Sequence, residues 1–281
     1  MTYQEANQRG RALLEEKHIE DASVDAWLLL EFVTGMNRTR FFVENYKEMP
    51  EAEEKRYFAL IKRRRERIPL QHLTGTQEFM GLDFRVNEHV LIPRQDTELL
   101  VLEAEKRLGI LKTKQAQVLD MCTGSGCIAI SLKKRNPEIV CCGADISEEA
   151  LRTARENAQV LDTEITFIQT DMFADIEGRF DMIVSNPPYI PTKVIEELEE
   201  EVRLHDPYTA LDGKEDGLYF YRILAKEAPD HLKKGGWLYM EIGYDQSEAV
   251  EQLLSQNGFT NIRTEKDLAG LDRVVCGVYN K

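Results

Sequence analysis

The hydrophobic pattern of the chain changes near residue 90. Before that point, apolar residues recur at helical spacing. Ala22, Ala26, Leu29, Leu30 and Val33 share one face, and Gly35 stands where a helix would stop. Thr2 and Glu5 have the spacing of a capping box ahead of a first helix. Pro50 suits the first turn of another helix, which runs to Ile68, just before Pro69. Over residues 77–92 the period shortens. Phe84 and Val86 alternate with Asp83 and Arg85, Gly81 fits a hairpin turn, and Val90-Leu91-Ile92-Pro93 predicts a short apolar strand. From about residue 97, helices and buried strands alternate. Helices are predicted from Glu98 to Leu108, Cys127 to Arg135, Glu148 to Ala158, Leu218 to His231 and Ser247 to Asn257. Strands are predicted from Gln117 to Met121, Ile139 to Ala144, Ile165 to Gln169, Phe180 to Ser185 and Trp237 to Ile242. Such alternation implies a mainly parallel sheet covered on both faces. The last apolar runs, Thr260 to Thr264 and Arg273 to Tyr279, have no helix between them and predict an antiparallel hairpin.

Composition narrows the class. With 281 residues, 42% hydrophobic and 31% charged, the chain reads as an ordinary globular protein of one large or two unequal domains. No apolar stretch approaches the ~18 residues of a membrane span, and the start of the chain lacks the basic and apolar regions of a secretory signal. A net charge of −14 argues against a duplex-DNA binder, and no stable DNA binding is expected. The five cysteines form no C-x-x-C pair and the five histidines are scattered, so buried thiols of a reduced, cytoplasmic protein are expected, with no metal site. The basic run Lys62-Arg63-Arg64-Arg65-Glu66-Arg67 reads as a solvated last helical turn or as a contact surface for an acidic partner or RNA.

Chemistry enters at two strand ends. Asp120-Met121-Cys122-Thr123-Gly124-Ser125-Gly126 joins a strand to a helix, and its glycines let the backbone approach a ligand at the helix start. Asp145 ends the next strand, where a carboxylate would accept hydrogen bonds from a ribose diol. Gly124-x-Gly126-x-x-Ala129 also fits a dinucleotide fingerprint, so this loop leaves nicotinamide and S-adenosylmethionine both open. The second strand end is Asn186-Pro187-Pro188-Tyr189. Neither proline has an N–H, so carbonyls can face a pocket, and the Asn186 side-chain carbonyl adds an acceptor. Together they can grip a substrate –NH2 by its hydrogens while Tyr189 lies against a planar amide or base. Amide nitrogen is a poor nucleophile. Acceptors aimed at its hydrogens can direct its lone pair and stabilise the positive charge that develops on it.

These residues resemble the Class I methyltransferases that act on planar –NH2 nitrogens. More closely, the chain resembles the bacterial peptide chain release factor glutamine methyltransferases of the HemK/PrmC type. Ile92-Pro93-Arg94-Gln95-Asp96-Thr97-Glu98, Val202-Arg203-Leu204-His205-Asp206-Pro207, Ala210-Leu211-Asp212-Gly213 and Asp216-Gly217-Leu218 extend the resemblance over nearly the whole chain. It implies an α/β fold, a Rossmann-like seven-stranded mainly parallel sheet with a small N-terminal helical domain. The expected divisions are a helical substrate-docking domain over residues 1–75, a β-hairpin connector over 76–96, and an S-adenosylmethionine-dependent domain over 97–281. The implied reaction methylates the glutamine of the Gly-Gly-Gln loop in release factors.

Carried over by position, Cys122, Thr123, Gly124, Ser125 and Gly126 would wrap the methionine part of S-adenosylmethionine, Asp145 would take the ribose hydroxyls, and Met172 would border the adenine. Asn186 would touch cofactor and substrate, with Pro187, Pro188 and Tyr189 completing a glutamine pocket. Asn186, Pro187 and Tyr189 are the expected catalytic set. Two departures stand out: Cys122 replaces the usual first glycine of the loop and is expected to keep a backbone allowed for a residue with a Cβ, and Asp171-Met172 stands where relatives often have Trp. The alternatives are a methyltransferase for a glutamine of a ribosomal protein, a DNA or RNA amine methyltransferase, and a non-enzymatic nucleotide-sensing module. The segment from Ile92 to Glu98 favours the release-factor enzyme.

Overall fold

The computed structural model describes residues 1–111, 113 and 115–281, which fall into two compact units. One unit comprises Met1–Thr76 with Glu200–His205; the other comprises Gln77–Glu199 and Asp206–Lys281.

The first unit is helical: Tyr3–Glu15, Ala22–Thr34, Arg38–Glu44, Glu51–Arg65 and Leu70–Thr74, with Glu200–His205. The capping box forms as its spacing requires: Thr2 Oγ1 accepts from Glu5 N at 3.2 Å and the Glu5 carboxylate accepts from Thr2 N at 2.8 Å. Gly35 ends the second helix at φ 64°. Pro50 precedes the fourth helix as its cap instead of standing inside its first turn. That helix ends at Arg65, because Arg67 turns left-handed at φ 66° and Pro69 caps the short helix after it. Leu14, Leu29, Leu30, Tyr57 and Ile61 are fully buried in this unit's core.

The basic run does not stay together on the surface. Lys62 and Arg63 are exposed, while Arg64 is only 5% exposed. Arg64 Nε lies 2.6 Å from Asp25 Oδ2, and its terminal nitrogen lies 2.7 Å from Glu201 Oε1. Arg67 donates to the Lys17 carbonyl at 2.8 Å. The solvated turn expected for the whole run therefore holds for only part of it.

The second unit begins at Gln77, one residue into β1 (Thr76–Phe79), which pairs with β2 (Leu82–Arg85) in a two-stranded sheet. Met80 and Gly81 make its turn, with φ of 54° and 77°. Val90-Leu91-Ile92-Pro93 is not a strand. Val90, Ile92 and Pro93 are buried without a partner strand, so the run's apolarity reflects packing alone. The main sheet contains β3 (Gln117–Met121), β4 (Val140–Asp145), β5 (Thr166–Gln169), β6 (Phe180–Ser185), β7 (Leu232–Glu241), β8 (Phe259–Lys266) and β9 (Asp272–Tyr279). Their order is β5-β4-β3-β6-β7-β9-β8. The first five are parallel, and β9 is antiparallel to both β7 and β8.

Helices Glu98–Ile110 and Cys127–Arg135 supply Leu100, Val101, Ile128 and Ile130 to one core, and helices Tyr219–His231 and Ser247–Gln256 supply Tyr221, Leu224, Val250 and Leu254 to the other. Among the described residues, no helix is long and apolar enough to cross a membrane. The strand order reverses between β3 and β6, and open α/β sheets place their crevice at such a switch point.

Candidate active site

Register brings the two sequence motifs together. Met121 pairs with Ser185 across β3 and β6, so the Gly loop and Asn186 leave neighbouring strands at the same level. Met121 also pairs with Ala144, which places Asp145 beside the loop. A cavity of about 320 Å³ opens at these ends. Its wall includes Cys122, Thr123, Gly124, Ser125, Asp145, Met172, Asn186 and Pro188. Gly126, Pro187 and Tyr189 do not line it.

Buried carboxylates build the loop. Asp120 is fully buried and accepts from Thr123 Oγ1 at 2.6 Å and from Ala129 N at 3.1 Å, tying the loop to the first turn of its helix. Burial pushes its carboxyl up to about 7. Asp145 Oδ2 accepts from Gly124 N at 2.9 Å and Oδ1 from Ser147 N at 3.0 Å. Desolvation raises the Asp145 pKa, while backbone N–H groups pull it back. A carboxylate has about four lone-pair directions, so Asp145 keeps acceptor capacity for ligand hydroxyls. Gly124 and Gly126 adopt φ of 54° and 79°, and a Cβ on Gly126 would lie 3.1 Å from that of Ala154.

Both departures from the family pattern prove to be backbone features. Cys122 does not keep an ordinary conformation: it stands in the left-handed region at φ 63°, where glycine would be unstrained. Burial pushes its thiol well above the usual range, so it is no nucleophile near neutral pH. Met172 is also left-handed, at φ 51°, and is 7% exposed.

At the other strand end, Asn186 Nδ2 donates to Thr97 Oγ1 at 3.2 Å. Tyr189 packs against the core, and its hydroxyl points toward Glu241 Oε1 at 3.5 Å. Gln246 Nε2 donates to the Tyr189 carbonyl at 2.9 Å. A Cβ on Gly213 would come within 2.8 Å of Tyr189 Cα, so the segment after Asn186 is held from two sides. Arg94 pairs with the buried Asp206 at 2.6 Å on the cavity rim.

Thr97, Asp120 and Glu241 escaped assignment from the sequence. An acidic residue within or ending an otherwise apolar strand, as in Val118-Leu119-Asp120-Met121 and Leu238-Tyr239-Met240-Glu241, is the signal that could have found two of them. Among the described residues, no cluster of His, Cys, Asp and Glu could hold a metal ion.

Residues 5–75 match the family model of the PrmC N-terminal domain, and residues 95–202 match that of the methyltransferase small domain. The release factor glutamine methyltransferase of Geobacter sulfurreducens is 43% identical over 268 residues, covering 95% of this chain and 93% of the relative. That of Caulobacter vibrioides is 42% identical over 270 residues, covering 95% and 93%. Among solved structures, a Pyrococcus furiosus methyltransferase matches with a TM-score of 0.52 at 16% identity, covering 72% of this chain and 90% of that one. A Thermus thermophilus 16S rRNA methyltransferase in complex with AdoMet and guanosine matches at 0.51 and 18% identity, covering 73% and 50%; both matches speak to the fold alone. With both relatives above 40% identity over nearly their full length, the chain belongs to the release factor glutamine methyltransferase family.

Proposed function

We propose that this chain transfers a methyl group from S-adenosylmethionine to the side-chain amide nitrogen of the glutamine in the Gly-Gly-Gln loop of peptide chain release factors. The observation that carries this reading is the meeting of the Gly loop, Asp145 and Asn186 on one cavity wall, in a chain of this family. The residues suit the cofactor: Asp145 retains acceptor capacity for a ribose diol, the left-handed Gly124 leaves room over the loop, and Met172 offers an apolar surface to a base.

Bound there, S-adenosylmethionine supplies a methyl group on a positively charged sulfur. The chain's own task is to aim the nitrogen. The Asn186 carbonyl oxygen and the Pro188 backbone carbonyl, both on the cavity wall, accept from the glutamine –NH2, turning its lone pair toward the methyl group. They also stabilise the positive charge that builds on nitrogen as the N–C bond forms and the C–S bond breaks. The surplus proton then leaves to water, so no general base is required. Tyr189, turned toward Glu241, supports the segment from behind. The helical unit serves as the docking surface that selects the release factor, because a pocket for one side chain cannot distinguish one glutamine from another. A cytoplasmic setting and the absence of stable DNA association complete the proposal.

The test is transfer of radiolabelled methyl to purified release factor, ribosomal protein, tRNA and DNA in parallel. Label is expected in the release factor, and label only in nucleic acid would overturn the reading.

A further inference from the structure

A polar chain runs beneath Asn186. Ser185 pairs with Met240 across β6 and β7, so Glu241 stands across from Asn186 at the strand ends. Thr97 and Glu241 are 3% and 2% exposed. The Thr97 hydroxyl receives the Asn186 Nδ2–H and sits close enough to the Glu241 side chain to pull its pKa down. Glu241 Oε2 is buried with no hydrogen-bond partner among the described residues.

An asparagine carboxamide presents a donor at one end and an acceptor at the other, and a half-turn exchanges them. Gripping a substrate –NH2 requires the oxygen to face the cavity. A threonine hydroxyl has one proton. If that proton is given to the Glu241 carboxylate, the Thr97 oxygen can only accept, and it takes the Asn186 N–H. We infer that Thr97 and Glu241 are positioning residues that hold the Asn186 carboxamide nitrogen inward and its oxygen toward the substrate amide. The inference rests on the function proposed above.

Several groups face Glu241: the Tyr189 hydroxyl at 3.5 Å, Arg273 from β9, Asp96 beside Thr97, and the Cys127 thiol at the helix start. The Tyr221 hydroxyl donates to its backbone carbonyl at 2.9 Å. Burial pushes the Glu241 carboxyl up to about 7, with Thr97 and Arg273 pulling it down. Protonated, Glu241 donates to Thr97, and the Thr97 proton turns to Asn186 and favours the flipped amide. Oxygen-out geometry therefore strengthens as pH rises through about 7.

Two measurements on the full chain test the relay. In ¹⁵N-labelled protein, the Asn186 side-chain amide signals should move with a midpoint near pH 7. That movement should vanish in Thr97→Val and in Glu241→Gln, where nothing is left to titrate. With release factor as substrate, Thr97→Val should lower kcat about 10–100-fold with little change in KM for S-adenosylmethionine, and Thr97→Ser should restore most of it. A folded Thr97→Val that keeps the pH movement, or turns over at the wild-type rate, overturns the inference. If the wild type leaves release factor unmethylated while both variants lose the pH movement, the relay stands and the substrate assignment falls.

Discussion

The helical unit and the sheet unit bury charge in opposite ways. In the first, Arg64 meets two carboxylates, Asp25 and Glu201, at 2.6 and 2.7 Å. In the second, Asp120 and Glu241 are 0% and 2% exposed and their partners are hydroxyl and backbone amide donors, with no cation in contact among the described residues. Both of their carboxyls are pushed up to about 7. A buried charge compensated by opposite charges keeps its state and serves architecture. A buried carboxyl facing neutral donors stays close to titration, and both examples lie at the ends of strands that frame the cavity.

The sharpest way to break this contrast is to remove one side of the compensated cluster. Arg64→Met leaves Asp25 uncompensated at 5% exposure and should cost about 3–5 kcal/mol in chemical denaturation. Arg63→Met, on the exposed face of the same turn, should stay within about 0.5 kcal/mol. Equal effects would show that the basic run acts as one solvated patch. Loss of release-factor binding after reversing this run must accordingly be read at Lys62 and Arg63, since reversing Arg64 would unfold the unit.

The uncompensated carboxyls give the opposite signature. Burial pushes the Asp120 carboxyl up to about 7 from its ordinary 3.8. The folded state therefore favours its neutral form: the contribution is full below about pH 4 and is lost as pH rises toward 7. Stability should fall across that window with a slope of up to ~1.4 kcal/mol per pH unit from this group. Asp120→Asn should flatten the part it carries, read as denaturation midpoint against pH. A wild-type profile unchanged by the substitution would remove Asp120 from the account.

Two substitutions separate chemistry from binding within the sheet unit. Asn186→Ala should lower turnover by about 100-fold or more with a smaller loss of cofactor affinity. Asp145→Ala removes the acceptor for two ribose hydroxyls and should weaken S-adenosylmethionine binding by about 10–100-fold in calorimetry. If the two variants lose turnover and affinity in the same proportion, the cavity does not divide into a nucleophile-aiming side and a cofactor side.

The sheet was largely legible because buried parallel strands are unbroken apolar runs stopped by polar or glycine residues. Gln117–Met121, Phe180–Ser185 and helix Cys127–Arg135 fall where the pattern put them. Val90 to Pro93 misled for the same reason: an apolar run buried by side-chain packing looks like a strand whether or not a neighbour pairs with it. Helix Arg38–Glu44 contains no buried residue, so it carries no hydrophobic period to read. Arg64 was hidden by its charged neighbours. Yet Tyr57, Ile61 and Arg64 follow one another at helical spacing on one face, and that spacing marks the arginine that turns inward. The Gly loop, Asp145 and Asn186 were readable as local motifs. Thr97 and Glu241 were not: Glu241 stands beside Asn186 only through the order of strands, and Thr97 meets it only through a side-chain contact 89 residues apart in sequence.

The smallest expected effect extends the comparison to the backbone. In the helical unit, helices Ala22–Thr34 and Leu70–Thr74 end on left-handed glycines, Gly35 and Gly75. On the cavity wall of the sheet unit, Gly124 is joined at left-handed positions by two residues that carry a side chain, Cys122 and Met172. A residue with a Cβ pays about 1–2 kcal/mol there, and glycine returns about 0.5–1 kcal/mol of that through its larger freedom when unfolded. Cys122→Gly should therefore raise stability by up to ~1 kcal/mol. Cys122→Val should lower it by about 1–2 kcal/mol, because a β-branched residue fits this backbone least. Denaturation midpoints of the two variants measure the difference directly. If glycine destabilises as much as valine, packing of the thiol against the core, and not backbone strain, decides the residue at 122. If glycine stabilises but weakens S-adenosylmethionine binding, the strained cysteine holds the loop in its binding shape at a cost in stability.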